Sequence, residues 1–152
     1  MKFKHIRQPE FALEFRAFHR PTKQLFPVYG FNPAFVFEDT PDGVGTGETN
    51  PARREDCIID QWNGLLDQGE KKIFSNDIVE VFNNAGESVG LFIVRFVNLQ
   101  GRYVLDGISP NTHSSRLTLY QKLRVVGNVH ENPELCMEPP AAETSKGEAD
   151  HE

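Results

Sequence analysis

The chemically versatile side chains of this sequence are scattered rather than clustered. The five histidines lie far apart along the chain, at His5, His19, His113, His130 and His151. No serine or cysteine stands in a nucleophile elbow or in another motif that pairs a nucleophile with a base. The sequence therefore predicts no catalytic residue, and an enzyme of unknown reaction stays only an alternative.

Two short polar runs contain a histidine, and local structure explains both better than catalysis does. Residues 113–115 read His-Ser-Ser, and serine hydroxyls favour turns and helix caps. Residues 130–132 read His-Glu-Asn where a predicted strand gives way to a predicted helical turn. Polar side chains at such a junction bond backbone amides that would otherwise lack partners. We interpret both runs as structural.

The sequence also lacks patterns that bind metals or cofactors. Asp67, Glu70 and Asp77 do not have the close, regular spacing of a calcium loop. The alternating glycines of residues 43–47 lack the following helix and lysine of a phosphate-binding loop. We therefore expect neither a metal site nor a cofactor.

Charge is unevenly distributed along the chain, although the net charge is only −6. The first 30 residues carry six basic and two acidic side chains, whereas residues 31–77 are acidic. Basic residues interleaved with Phe3, Phe11 and Phe18 suit a single-stranded nucleic acid. The candidate nucleic-acid contacts are Lys2, Lys4, Arg7, Arg16, Arg20 and Lys23. The alternative is a basic surface that faces the acidic loop, since no large basic field covers the chain.

Short apolar and β-branched segments, separated by turn residues, predict strands over most of the chain. Residues 11–18 alternate apolar and polar side chains, which is the period of a half-buried strand. Residues 89–97 are nearly apolar on both faces, which predicts a central strand. Further strands are predicted over residues 25–29, 34–38, 57–60, 78–82, 102–105 and 123–129. The predicted fold class is mostly β, with a small bent antiparallel sheet or an SH3-like barrel and one or two short helices.

The remaining segments are predicted to be short helices, a loop and a tail. Residues 114–122 fit both a short helix, which we favour, and a strand. Asn132, Pro133 and Glu134 suit the start of a helical turn that runs to about Cys136. Residues 39–55 are rich in glycine, proline and charge, and predict a mobile loop. Residues 139–152 predict a disordered acidic tail.

Targeting signals and cysteine usage bear on the compartment. Cys57 and Cys136 lack metal-ligand spacing. The basic N-terminus is not followed by the apolar run of a signal peptide, and no apolar run is long enough to span a bilayer. We therefore expect a cytoplasmic protein with reduced thiols and no membrane partner.

Two separated motifs resemble the YopX-like family of phage and prophage proteins. Residues 60–79 align with one family motif without a gap, and match it at Trp62, Gly64, Leu65, Asp67, Ile73, Asp77, Ile78 and Val79. Residues 125–135 resemble the closing motif of the family, with His130 in place of an aromatic residue. Threonine is usual where Asn63 stands, and glycine where Asn76 stands, which indicates a left-handed turn at Asn76.

The resemblance implies a phage or prophage origin and a β-rich domain over residues 1–138, and it implies no established reaction. Within the motifs, Gly64 and Gly127 are expected to allow turns or a close backbone approach. Asn128 falls in the last strand, where a polar side chain must bond backbone across a bend. The motif residues predicted to be structural are Trp62, Gly64, Asp67, Asn76, Asp77, Gly127, Asn128, Glu131, Asn132 and Pro133. The alternative is that they line one exposed groove and form the binding surface.

The expected function is therefore binding rather than catalysis. We expect a phage or prophage accessory protein in the cytoplasm of an infected or lysogenic bacterium, with a host protein or a copy of itself as partner. Twelve phenylalanines are many for a chain of 152 residues, and exposed sheet edges need cover. A homo-oligomer solves both problems. Single-stranded nucleic acid, bound through the basic N-terminal region, is the alternative partner.

Overall fold

The computed structural model describes residues 13–39, 51–108, 114–117 and 122–137. These residues form eleven β-strands and two short 3-10 helices. The chain divides into two compact units, Met1–Leu66 with Lys72–Phe74, and Asp67–Lys71 with Ser75–Glu152. The prediction of one domain over residues 1–138 stays a prediction.

The first unit is built on a six-stranded antiparallel sheet with the order β4-β3-β2-β1-β5-β6. Its core is formed by Ala17, Val36 and Cys57, whose neighbours along the strands point to the opposite face of the sheet. A short 3-10 helix, η1 (Arg54–Asp56), leads into β5. The strands are β1 (Phe15–His19), β2 (Gln24–Phe31), β3 (Phe35–Glu38), β4 (Ala52–Arg53), β5 (Cys57–Leu66) and β6 (Lys72–Phe74).

The second unit is built on a five-stranded antiparallel sheet with the order β10-β9-β8-β7-β11. Ile78 and Val79 are adjacent in β7 and both are fully buried, so this strand is covered on both faces. A 3-10 helix, η2 (Pro133–Cys136), follows the last strand. The strands are β7 (Asp77–Phe82), β8 (Ser88–Val97), β9 (Arg102–Gly107), β10 (Ser115–Arg116) and β11 (Lys122–Asn128).

The predicted fold class is confirmed as mostly β and antiparallel. The sheets formed by the described residues are open rather than closed, so the barrel alternative does not hold. The central position predicted for residues 89–97 is confirmed, because β8 is the middle strand of its sheet. The helical turn predicted before Cys136 is confirmed as η2. None of the helices in the described residues is both long and apolar enough to cross a membrane.

Two local predictions differ from the structure. The helix favoured for residues 114–122 is wrong at Ser115 and Arg116, which pair with β9 as a strand. Main-chain pairing to a neighbouring strand outweighs a weak local helical pattern. The loop predicted over residues 39–55 ends instead in β4 and η1, while residues 40–50 lie outside the described residues. The predicted tail, residues 139–152, also lies outside them.

Candidate functional site

The first motif begins in β5, where the side chain of Trp62 bonds to the backbone of its own strand. Its indole Nε1 donates a hydrogen bond to the Leu65 carbonyl oxygen at 2.8 Å. Gly64 lies between them with a backbone φ of +87°, a conformation that is strained for any residue with a Cβ. The pairing of β5 with β6 shifts between Trp62 and Leu66. Trp62 and Gly64 thus support an irregular stretch of strand.

Asp67 stands at the turn after β5 and binds three backbone amides. Its Oδ1 accepts hydrogen bonds from the amides of Gly69 and Lys71, both at 2.8 Å. Its Oδ2 accepts a third from the amide of Val125 in β11 at 2.9 Å. Burial alone raises the pKa of Asp67, but these three hydrogen bonds and the charge of Lys71 outweigh it and lower the pKa. The carboxylate is therefore held ionised.

The turn that carries Asp67 also bonds to the outer edge of β11. β11 is the terminal strand in the five-stranded order, so one side of its backbone has no neighbour among the described strands. The Gln68 amide donates a hydrogen bond to the Leu123 carbonyl oxygen at 3.0 Å, beside the bond between Asp67 and Val125. These bonds satisfy edge groups that would otherwise invite pairing with another chain.

The end of the first motif meets the second motif in the sheet of the second unit. Asn76 has a φ of +68°, the left-handed conformation that the replacement of glycine indicates. Its carbonyl oxygen accepts a hydrogen bond from the Val129 amide at 2.9 Å. The next residue, Asp77, is buried and lies opposite Asn128 in the pairing of β7 with β11. The structure therefore brings the two motifs together.

Asn128 uses its whole side chain to turn the backbone out of β11. Its Oδ1 accepts hydrogen bonds from the amides of His130 and Glu131, at 3.0 and 2.9 Å. Its Nδ2 donates to Glu131 Oε1 at 2.9 Å. The side chain is buried and both of its polar atoms are paired, as a polar residue at the end of a strand requires.

Gly127 faces the side chain of Asn132, which precedes Pro133 at the start of η2. A Cβ on Gly127 would collide with Asn132 Oδ1. That oxygen accepts a hydrogen bond from the Asn128 amide at 3.2 Å, and the Asn132 amide donates to the Asn128 carbonyl oxygen at 2.9 Å. Asn132 therefore bonds back to the preceding strand, and it makes no side-chain cap of η2. Only a residue without a Cβ fits this approach.

Two surface grooves lie elsewhere on the chain and are lined by other residues. The first, of about 420 Å³, belongs to the first unit and contains His19, whose Nδ1 lies 2.7 Å from Thr22 Oγ1. The second, of about 480 Å³, belongs to the second unit and contains Arg95, Arg102 and Arg116. The motif residues bond chiefly to backbone, and this supports the structural interpretation over a motif-lined groove.

Three of the six candidate nucleic-acid contacts can be placed, because Lys2, Lys4 and Arg7 lie outside the described residues. Arg20 and Lys23 are exposed around the turn between β1 and β2. Arg16 is different, because it forms an ion pair with Asp60, its register partner in β5.

The ion pair between Arg16 and Asp60 is largely withdrawn from water. Arg16 Nε lies 2.9 Å from Asp60 Oδ2, with side chains that are 12% and 0% exposed. The guanidinium also lies 4.7 Å from the centre of the Phe74 ring. A buried carboxylate requires such a cation nearby, so Arg16 is committed to the sheet rather than to a phosphate. Sequence reasoning missed Asp60, whose only signal was a charge within an apolar strand.

The thiols show no sign of activation for nucleophilic chemistry. Burial raises the pKa of Cys57, and the negative charge of Asp56 raises it further. The positive charges of Arg54 and Arg20 lower it, but by less. Burial likewise raises the pKa of Cys136. A nucleophilic cysteine requires the opposite shift. Among the described residues, no three His, Cys, Asp or Glu side chains gather as metal ligands would.

Comparison with known proteins identifies the family. A family described as YopX protein matches residues 14–137. The crystal structure of protein EF1440 from Enterococcus faecalis is similar, with a TM-score of 0.57 and 22% identity, covering 82% of this chain and 98% of that one. The crystal structure of protein yopX from Bacillus subtilis is also similar, with a TM-score of 0.55 and 17% identity. The match covers 80% of this chain and 96% of that one. At these identities both show the fold alone, and no curated protein matches the chain. The resemblance seen in the two motifs is thus confirmed, and the chain belongs to the YopX family.

Proposed function

We propose that this chain is a non-enzymatic accessory protein of phage or prophage origin that acts in the bacterial cytoplasm by binding protein. The observation that supports binding is an exposed aromatic surface on β2 and β3, formed by Tyr29, Phe35 and Phe37. These side chains are 65%, 41% and 40% exposed. Large aromatic side chains grouped on a surface are typical of protein interfaces.

The position of this surface follows from the alternation of β3. Val36 points into the core of the first unit and is fully buried. Phe35 and Phe37 flank it and therefore project to the opposite face of the sheet. Tyr29 lies between Val28 and Gly30, where the register of β2 with β3 shifts. The core thus leaves the rings of Phe35 and Phe37 on the outside, and Tyr29 is exposed at the register shift beside them.

The charge of this region favours a second copy of the chain as the partner. Residues 24–38 contain a single charged residue, Glu38, although a quarter of the chain is charged. Arg53 in β4 is the register partner of Phe35, but it is paired with Glu55 at 3.2 Å, so two copies of this surface meet without net charge repulsion. Pairing about a two-fold axis needs only that the same patch occur on each subunit. A homodimer through β2 and β3 is therefore the interaction we propose.

Sedimentation velocity across a range of concentrations tests this directly. The parent chain is expected to dimerise at micromolar concentration, and Phe37→Glu to remain monomeric because it places a charge in the interface. Leu99→Glu is the matched control, because Leu99 is 99% exposed in the turn between β8 and β9. Tyr29→Glu is a second test that disturbs a more exposed position than Phe37.

Circular dichroism of each variant shows whether it has folded before its mass is compared. A parent chain that stays monomeric at high micromolar concentration contradicts the proposal. Equal dimerisation of all the variants places the interface elsewhere and contradicts the role of β2 and β3. The alternative partner, a single-stranded nucleic acid bound by the N-terminal basic residues, loses support because Arg16 is paired with Asp60.

A further inference from the structure

The arginine-lined groove of the second unit is formed by three neighbouring strands. Val104 in β9 is the register partner of both Arg95 in β8 and Arg116 in β10. Arg102 is two residues from Val104, so its side chain leaves the same face of the sheet. Its register partner is Val97. The three arginines therefore surround an apolar floor of Val97 and Val104.

Two of these arginines are each oriented by a polar contact at their own Nε atom. Arg95 Nε lies 3.0 Å from Asp106 Oδ2, and Arg102 Nε donates to Gln100 Oε1 at 2.8 Å. Bonds at Nε fix each guanidinium and leave its terminal nitrogens for a ligand. Within the described part of the chain, those terminal nitrogens make no hydrogen bond or ion pair. A guanidinium held in this way is oriented to bind an anion through two parallel hydrogen bonds.

The balance of charge in the groove is positive, in a chain whose net charge is −6. The lining contains three arginines and one carboxylate, Asp106. Asp106 accepts a hydrogen bond from Ser114 Oγ at 2.9 Å in addition to its pairing with Arg95. Arg116 is exposed and has no ion pair with the described residues. A concentration of cations that the described residues do not neutralise attracts an anion.

We propose that this groove binds a small molecule through its phosphate groups. Three guanidiniums present more donors than the two oxygens of a carboxylate can accept, whereas a phosphate offers at least three oxygens. Strand spacing places the Cα atoms of Arg95 and Arg116 about 10 Å apart, so their long side chains can grip one phosphate or two linked ones. The groove volume, about 480 Å³, lies in the range of small-ligand sites.

A small ligand fits this groove better than a nucleic-acid strand does. No aromatic side chain lines it among the described residues. Base stacking on aromatic rings is what usually holds single strands. The site is formed by residues of the second unit alone, and it does not depend on the proposed dimer.

Calorimetric titration of the 152-residue chain with inorganic pyrophosphate at low salt tests the proposal. Saturable binding is expected, weakened roughly tenfold in Arg116→Gln by the loss of a charged hydrogen bond. Arg124→Gln is the matched control, because it removes the same charge from an exposed arginine of the same sheet. Arg124 lies in β11, outside the groove, and pairs with Glu80 at 2.9 Å. This control is expected to bind pyrophosphate as the parent does.

Three companion titrations separate the sources of the anion. Inorganic phosphate is expected to compete with pyrophosphate. Citrate is expected to bind more weakly than pyrophosphate, and a short oligothymidylate is expected to bind no more tightly than pyrophosphate. Circular dichroism of both variants confirms that they are folded. The proposal is overturned by an absence of saturable binding up to about 1 mM pyrophosphate. Equal weakening in both arginine variants, citrate binding as tight as that of pyrophosphate, or tighter binding of the oligonucleotide would each overturn it as well.

Discussion

The Val125 amide donates a hydrogen bond of 2.9 Å to the carboxylate of Asp67, a residue 58 positions earlier in the chain. The bond joins the turn after β5 to the outer edge of β11. The same carboxylate binds two amides of its own turn, at Gly69 and Lys71. One side chain therefore shapes a turn and covers a sheet edge, which explains why an acidic residue is suited to this position.

Replacing Asp67 is expected to destabilise the fold. Asp67→Ala removes the acceptor of three amides and should lower the free energy of unfolding by about 2–3 kcal/mol. Asp67→Asn keeps one acceptor oxygen and should cost less. Urea denaturation measures both. Glu55→Gln is the control, since Glu55 pairs with Arg53 on the surface and should change stability by less than about 1 kcal/mol. Equal stability of Asp67→Ala and the parent would contradict the role of this carboxylate.

The stability that Asp67 supplies is expected to depend on pH below about 4. The folded-state pKa of Asp67 is lowered from the value near 3.9 of an unfolded chain. A lowered pKa stabilises the fold fully above the unfolded value, and this stability is lost as the pH falls through the folded value. The difference in unfolding free energy between parent and Asp67→Asn should thus shrink as the pH falls from about 5 to 3. A difference that is constant over this range would show that ionisation of Asp67 is not involved.

The contact between Gly127 and Asn132 predicts a specific coupling. Gly127→Ala places a Cβ against Asn132 Oδ1 and should break the bond from the Asn128 amide, at a cost of about 1–3 kcal/mol. The cost should be smaller in an Asn132→Ala background, where that oxygen is gone. Gly30→Ala is the control, because a Cβ there meets no atom within 4 Å. Additive effects of the two substitutions at positions 127 and 132, measured in a double-mutant cycle, would refute the coupling.

The side chain of Asn128 is expected to tolerate no negative charge. Asn128→Asp keeps the acceptor for the amides of His130 and Glu131. It replaces the donor Nδ2, which bonds to Glu131 in the parent, with a second oxygen, so two carboxylates come into contact. We expect a loss of about 1–3 kcal/mol at neutral pH. Adding Glu131→Gln should restore part of it, because the new amide can donate to the aspartate. Thermal melts of the parent and the two variants measure this, and a lack of rescue would mean that the side-chain bond is unimportant.

Asn63 offers a substitution that is expected to stabilise the fold. Its Oδ1 accepts a hydrogen bond from the Leu65 amide, but its buried Nδ2 has no hydrogen-bond partner among the described residues. Asn63→Thr keeps an oxygen acceptor and removes the unpaired donor, and threonine is also the usual residue of the family motif. We expect a gain of about 1 kcal/mol in unfolding free energy. Asn63→Ala, which loses the acceptor as well, is the comparison, and an equal effect of both would contradict the explanation.

Much of the fold was predictable because its determinants are local. Alternation identified β1, β-branched content identified β7, and the unbroken apolar run of residues 89–97 identified the central strand β8. The left-handed turn at Asn76 and the helical turn at Pro133 follow from the conformational preferences of single residues. The strand at Ser115 and Arg116 was not predictable in this way, because its stability comes from pairing with β9.

Sequence alone determined the β-rich class, the family and the two motifs, since each depends on residue types at short spacing. The tertiary structure decided which distant residues meet. It placed Asp67 on the edge of β11, Arg16 on Asp60, and Arg95 beside Arg116 across Val104. Strand register creates these neighbours, and register depends on the packing of a whole sheet rather than on any local segment. The arginine groove therefore became visible only once the strands were aligned, although each arginine was plain in the sequence.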